Sequence, residues 1–446
     1  MPRQIAVIGS GIAGLASAWL LGQRHDVTLV ERNDYIGGHT NTIDVDEGDG
    51  RTVPVDTGFI VYNTGNYPLL TRLFQRLGVA TKESDMSFSA SIGPGDIEYC
   101  GDNLDALFAQ RGNLLRPGFL RMLRDMLRFN RRCKALLARD GFGGLSLGAF
   151  IEREGLGPGF RDQYLLPMAA AIWSCPTRTM MDFPAESLAR FFHNHGLLNI
   201  VDQPLWRTVA GGSQVYARRL IDGIGRNNIL LDGARRVSRL DQGVRIMLAS
   251  GRTLDVDEVV LACHADEALA LLEAPTRAEQ RLLGCFHYQP NQTYLHTDSR
   301  LMPKRRKCWA SWNYLSRAAG DGGRAVSVTY WMNRLQALDT ERNYFVSLNP
   351  LTPPAPDEII ASMTYDHPVF DQAAMDAQKA LSRLQGVGNV WYCGSYFGYG
   401  FHEDALRAAV DTASHLGADT GWLTGDDKAA DSAPLPEGVP VLEPVT

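Results

Sequence analysis

The chain has 446 residues, 45% hydrophobic and 21% charged, enough to bury a large core and to divide into two or three domains. A formal net charge of −6 gives the whole molecule no electrostatic reason to bind nucleic acid. Seven cysteines with no CxxC pair argue against a disulfide framework or a zinc site and point to reduced thiols in a cytoplasm.

Met1–Gln4 is too short for the basic start of a secretory leader, and no run of about 18 apolar residues is present to span a membrane. Ile5–Ile8 reads as a buried strand. Gly9, Gly11 and Gly14 follow at once, then a small-residue helix over 13–21 and a β-branched strand over 27–30 that ends in Glu31. This order suits a dinucleotide site. Gly9, Gly11, Ile12, Ala13 and Gly14 bring backbone and a helix N-terminus to the pyrophosphate, while Glu31 accepts ribose hydroxyls. NAD and FAD both satisfy it. After Arg32 come Gly37, Gly38, His39 and Thr40, whose glycine pair extends the cradle with backbone amides. VPVDTGFIVYN, residues 53–63, reads as one strand holding Asp56, Thr57 and Gly58, with the glycine marking a close approach to a ligand.

GSGIAG, Glu31, GGHT and VDTG, in this order and spacing, resemble the FAD-binding half of the flavin amine oxidase superfamily, which includes amine oxidases, protoporphyrinogen oxidase and phytoene-type desaturases. The resemblance implies an α/β fold: a Rossmann-type FAD-binding domain of the GR2-like kind with an inserted α+β substrate domain. The FAD domain is expected over 1–95, 200–270 and 385–424, the substrate or cap domain over 96–199 and 271–384, and a disordered tail over 425–446. Relatives place arginine after the Gly-Gly, where this chain has His39.

Residues 64–200 read as mainly helical. Residues 114–137 form a basic amphipathic helix, broken near Pro117, with arginines among Leu, Met and Phe. Peripheral contact with an anionic membrane and the rim of an access channel are two readings; the plainer one is the solvated face of a cap helix. Residues 164–176 are nearly uncharged and suit a cavity wall. His193 and His195 stand beside two phenylalanines without the HExxH context of a metal helix, so no metal is expected.

AGGS at 210–213 opens a helix as in the superfamily's second cofactor segment. The resemblance puts Val237 at the adenine and Ala262 at the end of a strand beside the cofactor. Gly223-x-Gly225 follows a helix rather than a strand and is not a second nucleotide site, so NAD(P)H is not expected alongside flavin. Strands over 293–297, 308–314 and 325–331, rich in Trp and Tyr, suggest an aromatic sheet roofing a pocket. Amine oxidases carry a flavin-facing lysine near the first of these, where Asn291 or Gln292 stands here. At 389–413 a strand runs into Gly394-Ser395 and a helix starting near His402. The resemblance sets Gly394, Ser395, Phe401, His402 and Glu403 at the flavin, with the helix dipole stabilising charge on the reduced ring.

GGHTNT, VDTGFIVYN and GYGFHED together most resemble a bacterial group of NAD/FAD-binding, amine-oxidase-like flavoproteins. Its members are often encoded beside cyclopropane-fatty-acyl synthase-like methyltransferases, and some relatives are implicated in desaturating methylated acyl chains. The expectation is a FAD-dependent oxidoreductase, cytoplasmic or peripheral on the inner membrane surface. It takes hydride from an apolar, lipid or fatty acyl substrate, with His402, Glu403 or His195 as proton acceptor. The alternatives are an amine oxidase releasing imine and hydrogen peroxide, a non-redox mutase or isomerase, and a binding protein that keeps FAD for structure.

Overall fold

The computed structural model describes residues 1–425 apart from 49, 94, 140, 174–179, 200–203 and 319–323, and leaves out the side chains of 170, 171 and 173. Beyond its first residue, the tail expected over 425–446 lies outside the described residues, as do 174–176 of the expected cavity wall. The chain opens with strand β1 (Gln4–Ile8), helix α1 (Ile12–Leu21) and strand β2 (Asp26–Val30), each within one residue of the periodicity. Nine of the ten α1 residues are buried, so the helix is held by packing on both sides rather than by an amphipathic stripe.

A hairpin of β3 (Thr42–Asp46) and β4 (Thr52–Asp56) follows. The expected single strand over 53–63 is instead β4 and a separate piece, Val61–Asn63, because the chain turns at Thr57–Gly58. Helix α2 (Pro68–Leu77) comes next, and then a second hairpin, β5 (Phe88–Ile92) and β6 (Ile97–Cys100). These strands interrupt the stretch expected to be mainly helical over 64–200. Phe88–Ile92 does alternate apolar and polar, but over only five residues and with both serines buried, and the strands are stabilised by long-range pairing that local pattern does not report. Helix α3 (Pro117–Leu137) starts rather than breaks at Pro117, where the missing N–H costs nothing. Helix α4 (Ala185–Asn194) ends just before His195.

The nucleotide layer resumes with α5 (Gln214–Ile224), β7 (Ile229–Leu230), β8 (Ala234–Arg239) and β9 (Glu258–Leu261). Then come β10 (His287–His296), β11 (Trp312–Ala318), β12 (Arg324–Trp331), β13 (Phe345–Leu348) and β14 (Ile359–Val369). The strand expected over 308–314 starts only at Trp312, and Cys308 closes a short 3₁₀ turn, Arg306–Cys308. Finally β15 (Val390–Tyr392) leads to α6 (His402–His415).

Two sheets organise these pieces. The first runs β7-β2-β1-β9-β15, with every neighbouring pair parallel. Parallel strands need helical crossovers, and α1 and α6 pack together over its face. The second runs β14-β10-β13-β12-β11-β5-β6, antiparallel except where β11 meets β5. The β5–β6 hairpin therefore crosses position 95 and joins the second sheet. The ligand crevice of a parallel sheet lies beyond the carboxyl ends of its strands, and here the second sheet roofs that end.

Candidate functional site

Beyond β1, β2, β9 and β15 opens a cavity of about 1680 Å³. A pocket for one drug-sized ligand holds roughly 300–1,000 Å³, so this one has room for a cofactor and a substrate together. At its sheet end, Gly9, Gly11, Ile12 and Ala13 form the wall. No side chain caps α1 at Gly11, and a Cβ built there would meet only open space, so the first helical amides face the cavity uncovered. A Cβ on Gly14 would overlap the Gly9 carbonyl oxygen. That glycine lets the helix close on the first turn and does not itself reach the cavity.

Glu31 lies in the wall and is 6% exposed. Its Oε2 accepts from the Ser10 N–H at 2.9 Å and the Ser10 hydroxyl at 2.6 Å, and its Oε1 accepts from the Asn33 N–H at 2.8 Å. Arg32 pairs with Glu267 at 2.6 Å, and both line the same end with Ala262 and Cys263. Val237 does not reach it. Its carbonyl accepts from the Glu273 N–H and it bridges to Leu272; a bulge at Ala234–Arg236 turns Ala234 and Arg235 into the wall instead. Gly38 lines the cavity, whereas the Gly37 N–H donates to the Ser10 hydroxyl behind it.

Two expected ligands of the cofactor have structural work elsewhere. The Asp56 carboxylate is fully buried outside the wall. It accepts from the Ser213 N–H at 2.8 Å, the Ser213 and Thr42 hydroxyls at 2.8 and 2.5 Å, and the Gln336 amide at 3.1 Å, tying the β4 end to the start of α5. Burial pushes its pKa up to about 6 against those bonds. Thr57 bonds to the Asn41 carbonyl and the Tyr365 hydroxyl. Gly58 does line the cavity, but the close approach it permits is to the chain's own His39 carbonyl. Glu403 is also removed from the chemistry. Its two oxygens accept from the Leu69 and Leu70 N–H groups at 2.9 and 3.0 Å, capping α2, and it is absent from the cavity wall.

The central part of the wall carries Gly394, Ser395, Phe401 and His402 from the β15–α6 connection. His402 Nε2 lies 3.0 Å from the Tyr216 hydroxyl and 3.2 Å from the Thr40 hydroxyl, and its ring stacks on Phe59 at 3.8 Å. Thr40 thus positions His402 from behind the wall. His39 stacks on Tyr365 at 4.8 Å and His367 at 5.5 Å. Burial pushes His402 down to about 3 and His367 to about 4, and drives His39 well below the ordinary imidazole value with His367 adding to the effect. These rings are neutral at neutral pH. Among the described residues no three His, Cys, Asp or Glu side chains come together as a metal site.

Sequence reasoning missed Tyr365, His367 and His264. The first two belong with Met363 to a single alternating face of β14, a period-two signal that was present in the sequence. The lysine position resolves differently. Asn291 is buried outside the wall, its amide donating to the Gln289 and Tyr365 carbonyls while its oxygen accepts from Asn349.

The far half is lined by Met86, Met122, Leu123, Met126, Met168 and Ile172, with His195 among aromatic rings. Phe191 stacks on Phe401 at 5.1 Å and on His195 at 3.8 Å, so one face of Phe401 is already covered. His195 Nδ1 lies 2.9 Å from the Phe191 carbonyl oxygen, which can only accept. Nδ1 therefore carries the proton, and the Nε2 of the neutral ring keeps its lone pair. Burial lowers its pKa to about 4.

A parallel sheet with an uncapped glycine turn, an acidic residue closing the second strand and a second sheet roofing a two-ligand cavity is the frame of a dinucleotide-binding protein with room for a second ligand. The model of the flavin containing amine oxidoreductases matches residues 12–348, and the chain belongs to that family. It is a FAD-dependent oxidoreductase. The open cradle at Gly11 and the acid at Glu31 fit FAD as its cofactor.

The chain is 35% identical over 160 residues to a carotenoid phi-ring synthase of Streptomyces griseus, covering 33% of this chain and 31% of that protein. It therefore matches about a third of the length of that curated relative. It is 48% identical over 42 residues to an L-amino-acid oxidase of Bungarus fasciatus, covering 9% of this chain and 8% of that one. Among solved structures, putrescine oxidase bound to putrescine superposes with a TM-score of 0.67 at 16% identity, over 93% of this chain and 99% of that one. The CLA-producing fatty acid isomerase from P. acnes gives the same four values. At that identity the likeness establishes the fold alone.

Proposed function

We propose that the chain desaturates an apolar acyl chain, taking a hydride from an unactivated or allylic carbon. The observation that carries this reading is the methionine- and leucine-lined far half of the cavity. Methionine adapts to flexible apolar ligands without a directed polar contact, which suits an acyl chain better than a small charged amine. Two further observations agree. No described lysine lines the cavity, and the Phe401 face covered by Phe191 cannot wall an open aromatic cage for an amine. The carotenoid synthase is named for a long apolar molecule, and the 35% identity to it over 160 residues supports the same substrate class.

When bound, FAD supplies the hydride acceptor. The proton from the neighbouring carbon goes to His195 Nε2, held in the accepting tautomer by the Phe191 carbonyl. Residues Phe401 and His402 present the N-terminus of α6 toward the cavity, favouring negative charge there. Phe59 and the methionines exclude water and hold the chain.

The amine oxidase reading keeps the support of the family match and of the likeness to putrescine oxidase. One anaerobic experiment separates them. Mixed with phospholipids or acyl esters, the FAD-loaded protein is expected to bleach its flavin absorbance and yield an acyl product two mass units lighter. Bleaching by a simple amine, with peroxide on admitting air and none with any lipid, overturns the proposal. A shifted double bond without flavin reduction overturns it in favour of an isomerase.

A further inference from the structure

Six of the eleven exposed large hydrophobic side chains among the described residues are Leu104, Leu114, Leu115, Leu120, Leu127 and Leu205. They belong to segments around one feature. Leu104, 75% exposed, and Leu205, 72% exposed, both line the cavity, so they stand at its mouth. Leu114 and Leu115 lie in the turn that leads into α3, and Leu115 is 87% exposed.

Helix α3 turns about 100° per residue, and its faces follow in a fixed order. Phe119, Met122, Asp125 and Phe129 are buried, and Met122, Leu123, Met126 and Asn130 line the cavity. Next around the helix come Leu120 and Leu127, exposed, and beyond them Arg124, Arg128 and Arg131. The apolar strip thus runs from the inside of the cavity over its lip to the surface, where a basic stripe borders it. Among the described residues no carboxylate pairs with Arg121, Arg128 or Arg131. The helix's one acid, Asp125, is 1% exposed, its Oδ2 accepting from the Gly157 N–H at 3.1 Å and its Oδ1 from the neighbouring Arg124 at 3.2 Å, so Arg121, Arg128 and Arg131 keep the stripe's charge. A positive stripe on a chain of net charge −6 is a local reversal of sign.

We propose that this face docks on an anionic lipid bilayer. Leu115, Leu120 and Leu127 enter the acyl boundary, Arg124, Arg128 and Arg131 meet headgroup phosphates, and the cavity mouth opens onto the leaflet. The occupant is chosen by charge complementarity and by continuity with the cavity. Nucleic acid would use the arginines but leave the leucines in water, and a bilayer satisfies both. The proposal extends the acyl-chain reading of the site by naming where the substrate is met. Vesicle binding is read without turnover, so either idea can fail alone.

The test is sedimentation of the full-length, FAD-loaded protein with vesicles of phosphatidylcholine, with and without phosphatidylglycerol. The protein is expected to pellet with the anionic vesicles, less with the neutral ones, and to be released by salt. The double variants Leu115→Glu/Leu120→Glu and Arg124→Glu/Arg128→Glu are each expected to lose about tenfold or more in vesicle affinity. Their flavin spectrum and bleaching by a detergent-dispersed acyl substrate should stay as in the parent, which separates docking from folding. Equal binding to both vesicle types, no binding, or variants that bind like the parent would each overturn the proposal. So would a dimer in solution that Leu115→Glu/Leu120→Glu dissolves while vesicle binding persists.

Discussion

His195 shows how one hydrogen bond decides what a side chain can do. With Nδ1–H donating to the Phe191 carbonyl, Nε2 is fixed as an acceptor, and with a pKa of about 4 the ring stays neutral over the physiological range. A base must be unprotonated, so flavin reduction is expected to hold steady above pH about 5 and to fall as pH drops through about 4. His195→Gln should slow reduction at neutral pH by about 10²-fold or more and remove that acid limb, with the flavin spectrum unchanged. An acid limb that survives the substitution assigns the proton elsewhere, first to His402. Glu403 is the instructive contrast. Sequence placed it beside His402 and two positions from the flavin-facing aromatic, Phe401, which made it a candidate base. One residue along a helix is about 100° of rotation, and that rotation carries its carboxylate to the N-terminus of α2. Which of two adjacent polar residues faces a cavity depends on a partner 334 positions away in the chain, and local pattern carries no information about it.

The elements that bind the nucleotide were legible because their chemistry is local. Gly9, with its positive φ, and Gly14, packed on the Gly9 carbonyl, have to be glycine for backbone reasons, Gly11 leaves the cradle open, and β1, α1 and β2 emerged within a residue of expectation. Gly14→Ala makes that requirement measurable. Its Cβ would overlap the Gly9 carbonyl oxygen, so α1 must move off the sheet. The variant should lose about 3 kcal/mol or more of stability and release its flavin on gel filtration. A yellow, normally stable Gly14→Ala protein would show that α1 does not pack as described. Elements fixed by distant pairing were read less well. The β5–β6 hairpin vanished into a helical expectation since its stabilisation comes from β11, more than two hundred residues on. Asp56 looked like a ligand because it sits in a family motif, whereas in the fold it is the bolt between β4 and α5.

Across the whole molecule, burial of imidazoles sets the response to acid. His195, His296 and His367 are each lowered to about 4, and His39 and His402 lie lower than the ordinary value as well. In the unfolded chain they take up protons near the ordinary value of about 6.5. Between there and about 4 the unfolded chain binds more protons than the folded one, so stability falls as pH falls, and the loss from these groups is complete once pH passes below their folded values. Asp56, pushed up to about 6, acts in the opposite direction, as do Glu403 and Asp404, whose pKa values are also raised. The histidines outnumber them, so the urea midpoint of the FAD-saturated protein should be lower at about pH 5 than at about pH 7. An equal or higher midpoint at the lower pH contradicts this balance.

The wall of the cavity joins Gly9 near one end of the chain to His402 near the other. A ribosome releasing this chain at about 5–20 residues per second has made the glycine turn many seconds before α6 exists. FAD can be enclosed only after α6 has left the tunnel, so cofactor loading waits on the last of these segments. Until then the second sheet has no floor and the apolar far half of the cavity is open to solvent. A cofactor that binds only the completed site stabilises only the completed fold, so added flavin is expected to raise the yield of folded protein.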